Sequence, residues 1–374
     1  MWASVLSSPR VPMRLILALA ISLVLPSNAS PQGPNRGPDG RVDASTRSQV
    51  IAGVSRRLEE GYVFPDKAEE MVRALRERAR RGAYDRITSA HAFADTLTGH
   101  LRAVSHDKHL SVVYDSRGVE DEPPDSDPPG QQGRRSTFAR WMNFGLERVE
   151  RLMGNVGYLE IRTFYFGAAQ VDSALAAAMN FLANTNALII DVRRNSGGEP
   201  DAVAAVCSYL MPPNTLVNKF YWRPQNRWDE FRTKAVSGRH YGTTRPVYVL
   251  TSDRTFSGAE EFAYDIQTQK RGEVVGDTTG GGAHPGGMRQ VTTNFGVWVP
   301  SGRAVNPITN TNWEGIGVRP DVPADTADAL GVAHHRALKR LLAEERDPHR
   351  RELLQEALTE LERLQRLPSD GSRP

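Results

Sequence analysis

The sequence predicts an α/β protein in which a parallel sheet with crossover helices follows a helical N-terminal domain. Between residues 138 and 330, strand-like apolar runs alternate with helical patterns; "NALIIDVRRNSGG", for example, is followed by "EPDAVAAVCSYLM". This alternation is typical of βαβ units. Upstream, apolar residues recur at helical spacing, namely Val50, Ile51, Val54 and Leu58. After residue 325 the pattern is again helical and highly charged.

Domain boundaries follow changes in composition. Residues 30–47 are rich in Pro, Gly and charged residues and are predicted to be disordered. The remaining regions are a helical domain (48–116), an acidic, proline-rich linker (117–137), the α/β domain (138–330) and a charged helical tail (331–374). The pattern leaves open whether the tail packs against the domain or mediates oligomerisation, and it indicates no oligomeric state.

Several local patterns assign individual elements. Asp66 and Ser89 are the predicted caps of the second and third helices. "HLSVVYD" alternates like a strand, and "MRQVTTNFGVWVPSGRAVNP" is predicted to be an antiparallel hairpin added to the main sheet.

The N-terminus has the pattern of a secretory signal. Arg10 and Arg14 precede an apolar run of 11 residues, and Ser27 and Ala29 then occupy the −3 and −1 places of a small-residue cleavage site. Residues 1–29 are therefore predicted to be a signal peptide, and the protein to be exported to a periplasm or out of the cell. An uncut N-terminal anchor is the alternative. The chain that remains after cleavage is expected to have no stable membrane insertion, because no other stretch of about 18 apolar residues occurs.

Charge and cysteine content exclude several classes of function. The formal net charge of +3 over 374 residues implies no basic patch on the scale of a nucleic-acid-binding protein. The single cysteine, Cys207, excludes an internal disulfide and a metal site built on cysteines.

Ser257 occupies the junction between a buried strand and a helix in "VYVLTSDRTFSGAEEFAYDIQ". The helix N-terminus offers free N–H groups, and Gly258 lets a reacting carbonyl approach closely. This arrangement can expose a nucleophile and stabilise an oxyanion. The alternative is that Ser257 only caps the helix.

Three further segments carry candidate site residues. "DVRRNSGG" follows a strand at the same sheet edge, so Gly197 and Gly198 could donate N–H groups to an oxyanion; a tight turn is the alternative. "SHDKHLSVVYD" offers His106 and His109 as a general base, unless they are surface histidines. In "NWEGIGVRPD", Glu314 could orient a histidine ring or could be an ordinary loop residue.

Taken together, these segments resemble the tail-specific serine peptidases, the group of C-terminal-processing proteases and the tricorn protease core. The subgroup similar to one module of interphotoreceptor retinoid-binding protein is the nearest. The matching stretches include "YVFPDKA", "AVSHDKHLSVVYD", "LIIDVRRNSGG", "TSDRTFSGAEEFAYDIQ", "VVGDTTGGGAHPG" and "NWEGIGVRPDV", in the family's order. The resemblance implies a crotonase-like α/β spiral core behind the helical N-terminal domain.

The resemblance also implies roles for individual residues. Ser257 matches the family nucleophile. Gly258 and the second glycine of "NSGG", Gly198, supply the oxyanion hole. His109, in "DKH", matches the tricorn-type base, with His106 as the alternative, and Glu314 matches the carboxylate that orients the base.

The stretch "GDTTGGGAHPG" departs from the family pattern. Processing proteases with a Ser-Lys dyad carry a lysine here, whereas this chain has glycine at Gly281 or Gly282. A histidine base is therefore expected, and Gly197 and His284 are further candidates for the oxyanion hole or the pocket.

The function implied is that of an exported serine-type peptidase that acts on peptides or proteins, with no metal, cofactor or nucleic-acid partner. A non-catalytic module of the same fold that binds an apolar, retinoid- or fatty-acid-like ligand is the alternative.

Overall fold

The computed structural model describes residues 37–121 and 137–366. The predicted signal peptide and most of the predicted linker lie outside these residues. No helix in the two described ranges is both long enough and apolar enough to cross a membrane.

Three helices form the N-terminal part: α1 (Ala44–Gly61), α2 (Pro65–Arg80) and α3 (Ala90–Ser105). Helix α1 begins four residues before the predicted start, because the Asp43 side chain accepts a 2.7 Å hydrogen bond from the Thr46 amide and caps it. Ser89 caps α3 as predicted. The prediction for Asp66 is wrong: Pro65 opens α2, so Asp66 lies in the first turn and Phe64 takes the cap position.

An antiparallel sheet of β1 (Ser111–Tyr114), β10 (Phe295–Pro300) and β9 (Gly286–Gln290), in that order, covers these helices. Its apolar side chains share a core with α1 and α3. The β9–β10 hairpin was predicted correctly as a hairpin but assigned to the wrong sheet, because β10 pairs with β1. Residues from the C-terminal half of the chain therefore complete the N-terminal part.

The central sheet has six strands in the order β12-β8-β7-β4-β3-β2. Its strands are β2 (Leu146–Leu152), β3 (Val156–Ile161), β4 (Ala187–Asp191), β7 (Val247–Thr251), β8 (Glu273–Gly276) and β12 (Val322–Pro323). All neighbours are parallel except β2, which runs antiparallel to β3 at one edge. The predicted α/β class with a helical N-terminal domain is confirmed.

Helices cover both faces of the central sheet. One face packs against α5 (Ala168–Leu182), α6 (Pro200–Ser208) and α7 (Gly258–Thr268). The other packs against α8 (Ala329–Glu344) and α9 (Pro348–Arg366), where Ala333, Ala337 and Leu338 share a core with residues of β3, β4 and β7. The C-terminal helices, whose role the sequence left open, are thus a packing layer of the sheet.

Two smaller features were not predicted. A third sheet contains β5 (Leu216–Trp222), β6 (Arg227–Arg232) and β11 (Gly302–Val305), in the order β11-β5-β6. A short helix, α4, covers residues 137–141.

Adjacent parallel strands bring the two glycine-containing loops together. In the register of β4 and β7, Asp191 lies opposite Leu250, so both strands end at the same edge. The loop "RRNSGG" follows β4 and the loop that ends at Ser257 follows β7. This is the edge at which parallel sheets bind ligands, as the sequence predicted.

Helix α7 carries two acidic side chains inside the core. Glu261 and Asp265 lie one helical turn apart and are both buried. Asn306 Nδ2 donates to Asp265 Oδ1 at 3.3 Å, while Glu261 Oε1 and Asp265 Oδ2 have no hydrogen-bond partner among the described residues. Burial raises the pKa of Glu261 to about 8 and also raises the pKa of Asp265, to which the neighbouring charge of Glu261 contributes.

This buried pair predicts a loss of stability at alkaline pH. Both carboxyls bind a proton more tightly in the folded than in the unfolded chain, so their contribution is fully present below their ordinary pKa values of 4.5 and 3.8 and is lost as pH rises from there through the folded pKa. We expect the free energy of unfolding to fall by about 1–3 kcal/mol between about pH 6 and pH 9. In Glu261→Gln the decline should be smaller. Urea unfolding at several pH values measures this decline in the wild type, in Glu261→Gln and in Glu69→Gln, a control at an exposed position. Equal declines in the three proteins would contradict this prediction.

Candidate active site

Ser257 lies at the N-cap of α7 with a strained backbone. Its φ and ψ of 53° and −122° are rare for a residue with a side chain and cost about 1–3 kcal/mol. The hydroxyl forms a 3.0 Å hydrogen bond with His109 Nε2. Ser257 is thus the N-cap residue of α7, and its hydroxyl also contacts an imidazole, as a nucleophile would require.

The buried carboxylate of Glu260 holds this turn in place. Its Oε2 accepts the Ser257 amide at 2.8 Å and the Gly282 amide at 2.9 Å, while its Oε1 accepts the Gly281 amide at 2.6 Å and the Thr279 hydroxyl at 2.5 Å. Glu260 thereby links the Ser257 backbone to the loop before β9. Burial raises its pKa, and these hydrogen bonds oppose the rise. Sequence reasoning missed Glu260, although a serine followed three residues later by glutamate is the signature of a capping box.

The glycine loop after β4 lies directly against Ser257. Gly197 and Gly198 have φ of 103° and 142°, which side chains rarely permit. A Cβ on Gly197 would lie 2.7 Å from Ser257 Cβ and 2.8 Å from the Gly258 nitrogen, and one on Gly198 would overlap the Phe164 backbone. Gly258 is the first residue of α7, so its N–H has no acceptor within the helix. The backbones of Gly198 and Gly258 are thus adjacent beside the hydroxyl.

His109 is held between the two halves of the chain just before β1. Its ring lies 4.6 Å from the ring of Phe256, centroid to centroid. Burial lowers the pKa of His109 to about 4, so the imidazole is neutral at pH 7 and can accept a proton. Its Nδ1 is buried and has no hydrogen-bond partner among the described residues. The rival histidine, His106, is exposed at the left-handed C-cap of α3.

Glu314 lies in the same buried region, but its hydrogen bonds go to other groups. Its Oε2 accepts the Ala283 amide at 2.5 Å and lies 3.5 Å from His284 Nδ1. Its Oε1 is buried without a partner among the described residues. Burial raises the pKa of Glu314 to about 7, although the neighbouring His284 opposes this rise.

Asp107 is a buried site residue that sequence reasoning missed. Its side chain is in contact with His284, whose Nδ1 lies 2.9 Å from Asp107 Oδ2. The ligand atoms of Asp107, His284 and Glu314 all lie within 4.8 Å of one another, which is close enough to share a metal ion. The 2.9 Å contact has the length of a direct hydrogen bond, and we interpret the three side chains as a hydrogen-bonded set.

Comparisons with known proteins match both parts of the chain. The sequence profile of peptidase family S41 matches residues 155–324. The profile described as the N-terminal domain of peptidase S41 in eukaryotic IRBP matches residues 44–137.

Two curated Arabidopsis thaliana proteins are similar to this chain. Carboxyl-terminal-processing peptidase 2, chloroplastic, is 27% identical over 171 residues, which covers 45% of this chain and 32% of that protein. Carboxyl-terminal-processing peptidase 1, chloroplastic, is 24% identical over 181 residues, which covers 48% of this chain and 36% of that protein. The chain thus spans about a third of the length of these relatives.

Solved structures share the fold. A Parabacteroides merdae protein has a TM-score of 0.54 at 16% identity, covering 80% of this chain and 98% of its own. A lipoprotein from Streptococcus agalactiae has a TM-score of 0.53 at 11% identity, covering 80% and 97%. At these identities the likeness concerns the fold alone.

The His109 ring lies next to the space that a side chain at position 282 would fill, and Gly282 leaves that space free. A Cβ at Gly282 would lie 2.3 Å from the ring of Phe256 and 2.8 Å from His109 Cε1. We therefore expect Gly282→Ala to displace the imidazole from the Ser257 hydroxyl and to lower any reaction of Ser257 by about tenfold or more. Labelling by a fluorophosphonate probe measures that reaction. Gly99→Ala is the matched control, because a Cβ there meets nothing within 4 Å; unchanged labelling of Gly282→Ala would contradict the expectation.

Proposed function

The chain belongs to peptidase family S41, and from this premise we propose that it is a serine-type peptidase with Ser257 as nucleophile and His109 as general base. The observation that carries the proposal is the 3.0 Å hydrogen bond between Ser257 Oγ and His109 Nε2. The family and its carboxyl-terminal-processing relatives assign the chain to the hydrolases. A neutral histidine in hydrogen-bond contact with a serine on a strained strand-to-helix turn is the arrangement that activates a serine nucleophile.

The reaction follows from this geometry. His109 Nε2 accepts the Ser257 proton while Oγ attacks the carbonyl carbon of the peptide bond. The amides of Gly198 and Gly258 donate hydrogen bonds to the resulting oxyanion, and the loss of one such donor costs roughly 3–4 kcal/mol. His109 then gives its proton to the leaving amine, and water releases the acyl group from Ser257 by the same steps in reverse order.

Glu314 is the group that we propose to orient His109. Glu314 Oε1 and His109 Nδ1 are both buried and both lack a hydrogen-bond partner among the described residues. One is an acceptor, and the other carries a proton when Nε2 faces the serine as base. A hydrogen bond between the two would fix the tautomer and stabilise the imidazolium formed during the reaction.

The proposed substrates are peptides or proteins, as for the relatives named carboxyl-terminal-processing peptidases. The alternative of an apolar-ligand module receives no support from two described cavities. One, of about 610 Å³, is lined by charged residues such as Arg271, Glu273 and Arg340. The other, of about 410 Å³, lies in the N-terminal part; its lining combines the charged Arg47, Arg76 and Asp85 with apolar residues such as Ile51, and it does not include Ser257.

Export is part of the proposal and rests on the sequence of residues 10–29. We expect the intact mass of secreted or periplasmic material to correspond to a chain that begins near Ser30, because signal peptidases cut after the small residue at −1. A chain from that material that still begins with Met1 would show that the segment is an anchor or no signal.

The catalytic assignment predicts the behaviour of three variants. Ser257→Ala should abolish fluorophosphonate labelling and peptide hydrolysis. His109→Ala should lower kcat by about 10³ or more, because a serine without its base is a poor nucleophile. The exposed His106 provides the matched control, and His106→Ala should cost about tenfold or less. Hydrolysis retained by Ser257→Ala would refute the mechanism, whereas a larger loss in His106→Ala would refute only the choice of base.

A further inference from the structure

The carboxylate of Asp107 takes part in three hydrogen bonds in the interior of the site. Asp107 is only 1% exposed. Its Oδ1 accepts the backbone amide of His109 at 3.0 Å. Its Oδ2 accepts the Tyr62 hydroxyl at 3.2 Å and lies 2.9 Å from His284 Nδ1. A carboxylate is an acceptor only, so the proton of this last bond lies on His284 Nδ1.

His284 joins Asp107 to Glu314. Its Nδ1 lies 2.9 Å from the Asp107 carboxylate and 3.5 Å from Glu314 Oε2. Its ring packs edge-on against Phe64 at 5.3 Å between centroids, so its orientation is fixed from a third side. Oε2 of Glu314 also accepts a hydrogen bond from the Ala283 amide, so the carboxylate is held through this one oxygen. Its Oε1 has no hydrogen-bond partner among the described residues.

We propose that Asp107 and His284 are positioning residues that hold the backbone of His109 and the carboxylate of Glu314 in the geometry that proton transfer from Ser257 requires. This inference rests on the proposed function. Asp107 acts through the amide of His109, and His284 acts through Glu314; neither needs to touch the substrate.

The charges in the set support the same roles. The carboxylate of Asp107 favours the protonated form of His109 and so opposes the effect of burial on its pKa, which helps the base to accept a proton. His284 favours the ionised form of Glu314, whose pKa burial raises to about 7. Among the residues that the structure describes, Tyr62 after α1, Arg102 on α3 and Glu260 on α7 also face this set with charged or titratable side chains.

A pH profile distinguishes positioning from a purely structural role. The experiment measures the rate constant of fluorophosphonate labelling of Ser257 in the full chain between about pH 5 and pH 9. If ionised Glu314 is required, the rate of the wild type should fall on the acid side with a midpoint near pH 7. His284→Ala removes the group that favours ionised Glu314, so the midpoint should move to higher pH by about one unit and the rate at neutral pH should fall about tenfold or more.

Two conservative variants keep the test independent of folding. In His284→Asn the amide nitrogen stands close to the place of Nδ1 and can still donate to Asp107. It should recover most of the rate at alkaline pH, to within about fivefold of wild type, while the shifted midpoint remains. Asp107→Asn should lower the rate at every pH, because an Asn that keeps its oxygen on the His109 amide presents its NH2 donor to the Tyr62 hydroxyl and to His284 Nδ1, which both donate to Asp107. His106→Asn is the control, because that histidine is exposed; melting curves establish that each variant is folded.

A double variant tests the route through Glu314. His284→Ala should add little to the loss caused by Glu314→Gln, because the two side chains act as a unit. A wild-type rate and midpoint in His284→Ala and His284→Asn, or fully additive losses in the double variant, would overturn the inference while leaving the proposed function intact. If the wild type itself is not labelled at Ser257, the proposed function fails and this inference fails with it.

Discussion

The hydrogen bond between His109 and Ser257 depends on the contact between the two parts of the chain. His109 precedes β1, which belongs to the sheet that covers the N-terminal helices, whereas Ser257 begins a helix of the α/β core. Glu260 links the two through buried hydrogen bonds to the Ser257 amide and to the glycines before β9. If this buried carboxylate lost its hydrogen-bond partners, the cost in free energy would be several times the contribution of one hydrogen bond. The network therefore holds the strained turn at Ser257 in one geometry.

Burial sets the charge of the site more than any single ion pair does. It lowers the pKa of His109 to about 4 and raises that of Glu314 to about 7. A neutral imidazole at physiological pH suits the proposed base, and the negative charge of Asp107 moderates the cost of protonating it. The site therefore contains one buried carboxylate, Asp107, that accepts the backbone amide of His109, and a second, Glu314, whose pKa is raised to about 7.

Much of this arrangement was predictable, since the strands and helices of the α/β core follow from periodicity, and adjacent parallel strands must end at one edge. Ser257 and the pair Gly197 and Gly198 could thus be placed together from the sequence. The partner of the β9–β10 hairpin could not, because a hairpin carries no local signal for the distant strand that it joins. His284 was named from the sequence as a candidate for the oxyanion hole or the pocket, but its contact with Asp107 was beyond reach for the same reason, because it spans 177 residues of chain. Glu260, by contrast, does carry a local signal, because its spacing of three residues from Ser257 is that of a capping box.

The pairing of β10 with β1 has a consequence for the order of folding. Residues 111–114 find their strand partner only after residues 295–298 have been made and brought back across the molecule. Contacts of such separation close late, because the loop entropy must be overcome first. Ser257 and His109 are therefore apart until this late pairing has formed. Formation of their hydrogen bond is thus coupled to completion of the fold, and an incompletely folded chain would lack the activity that we propose.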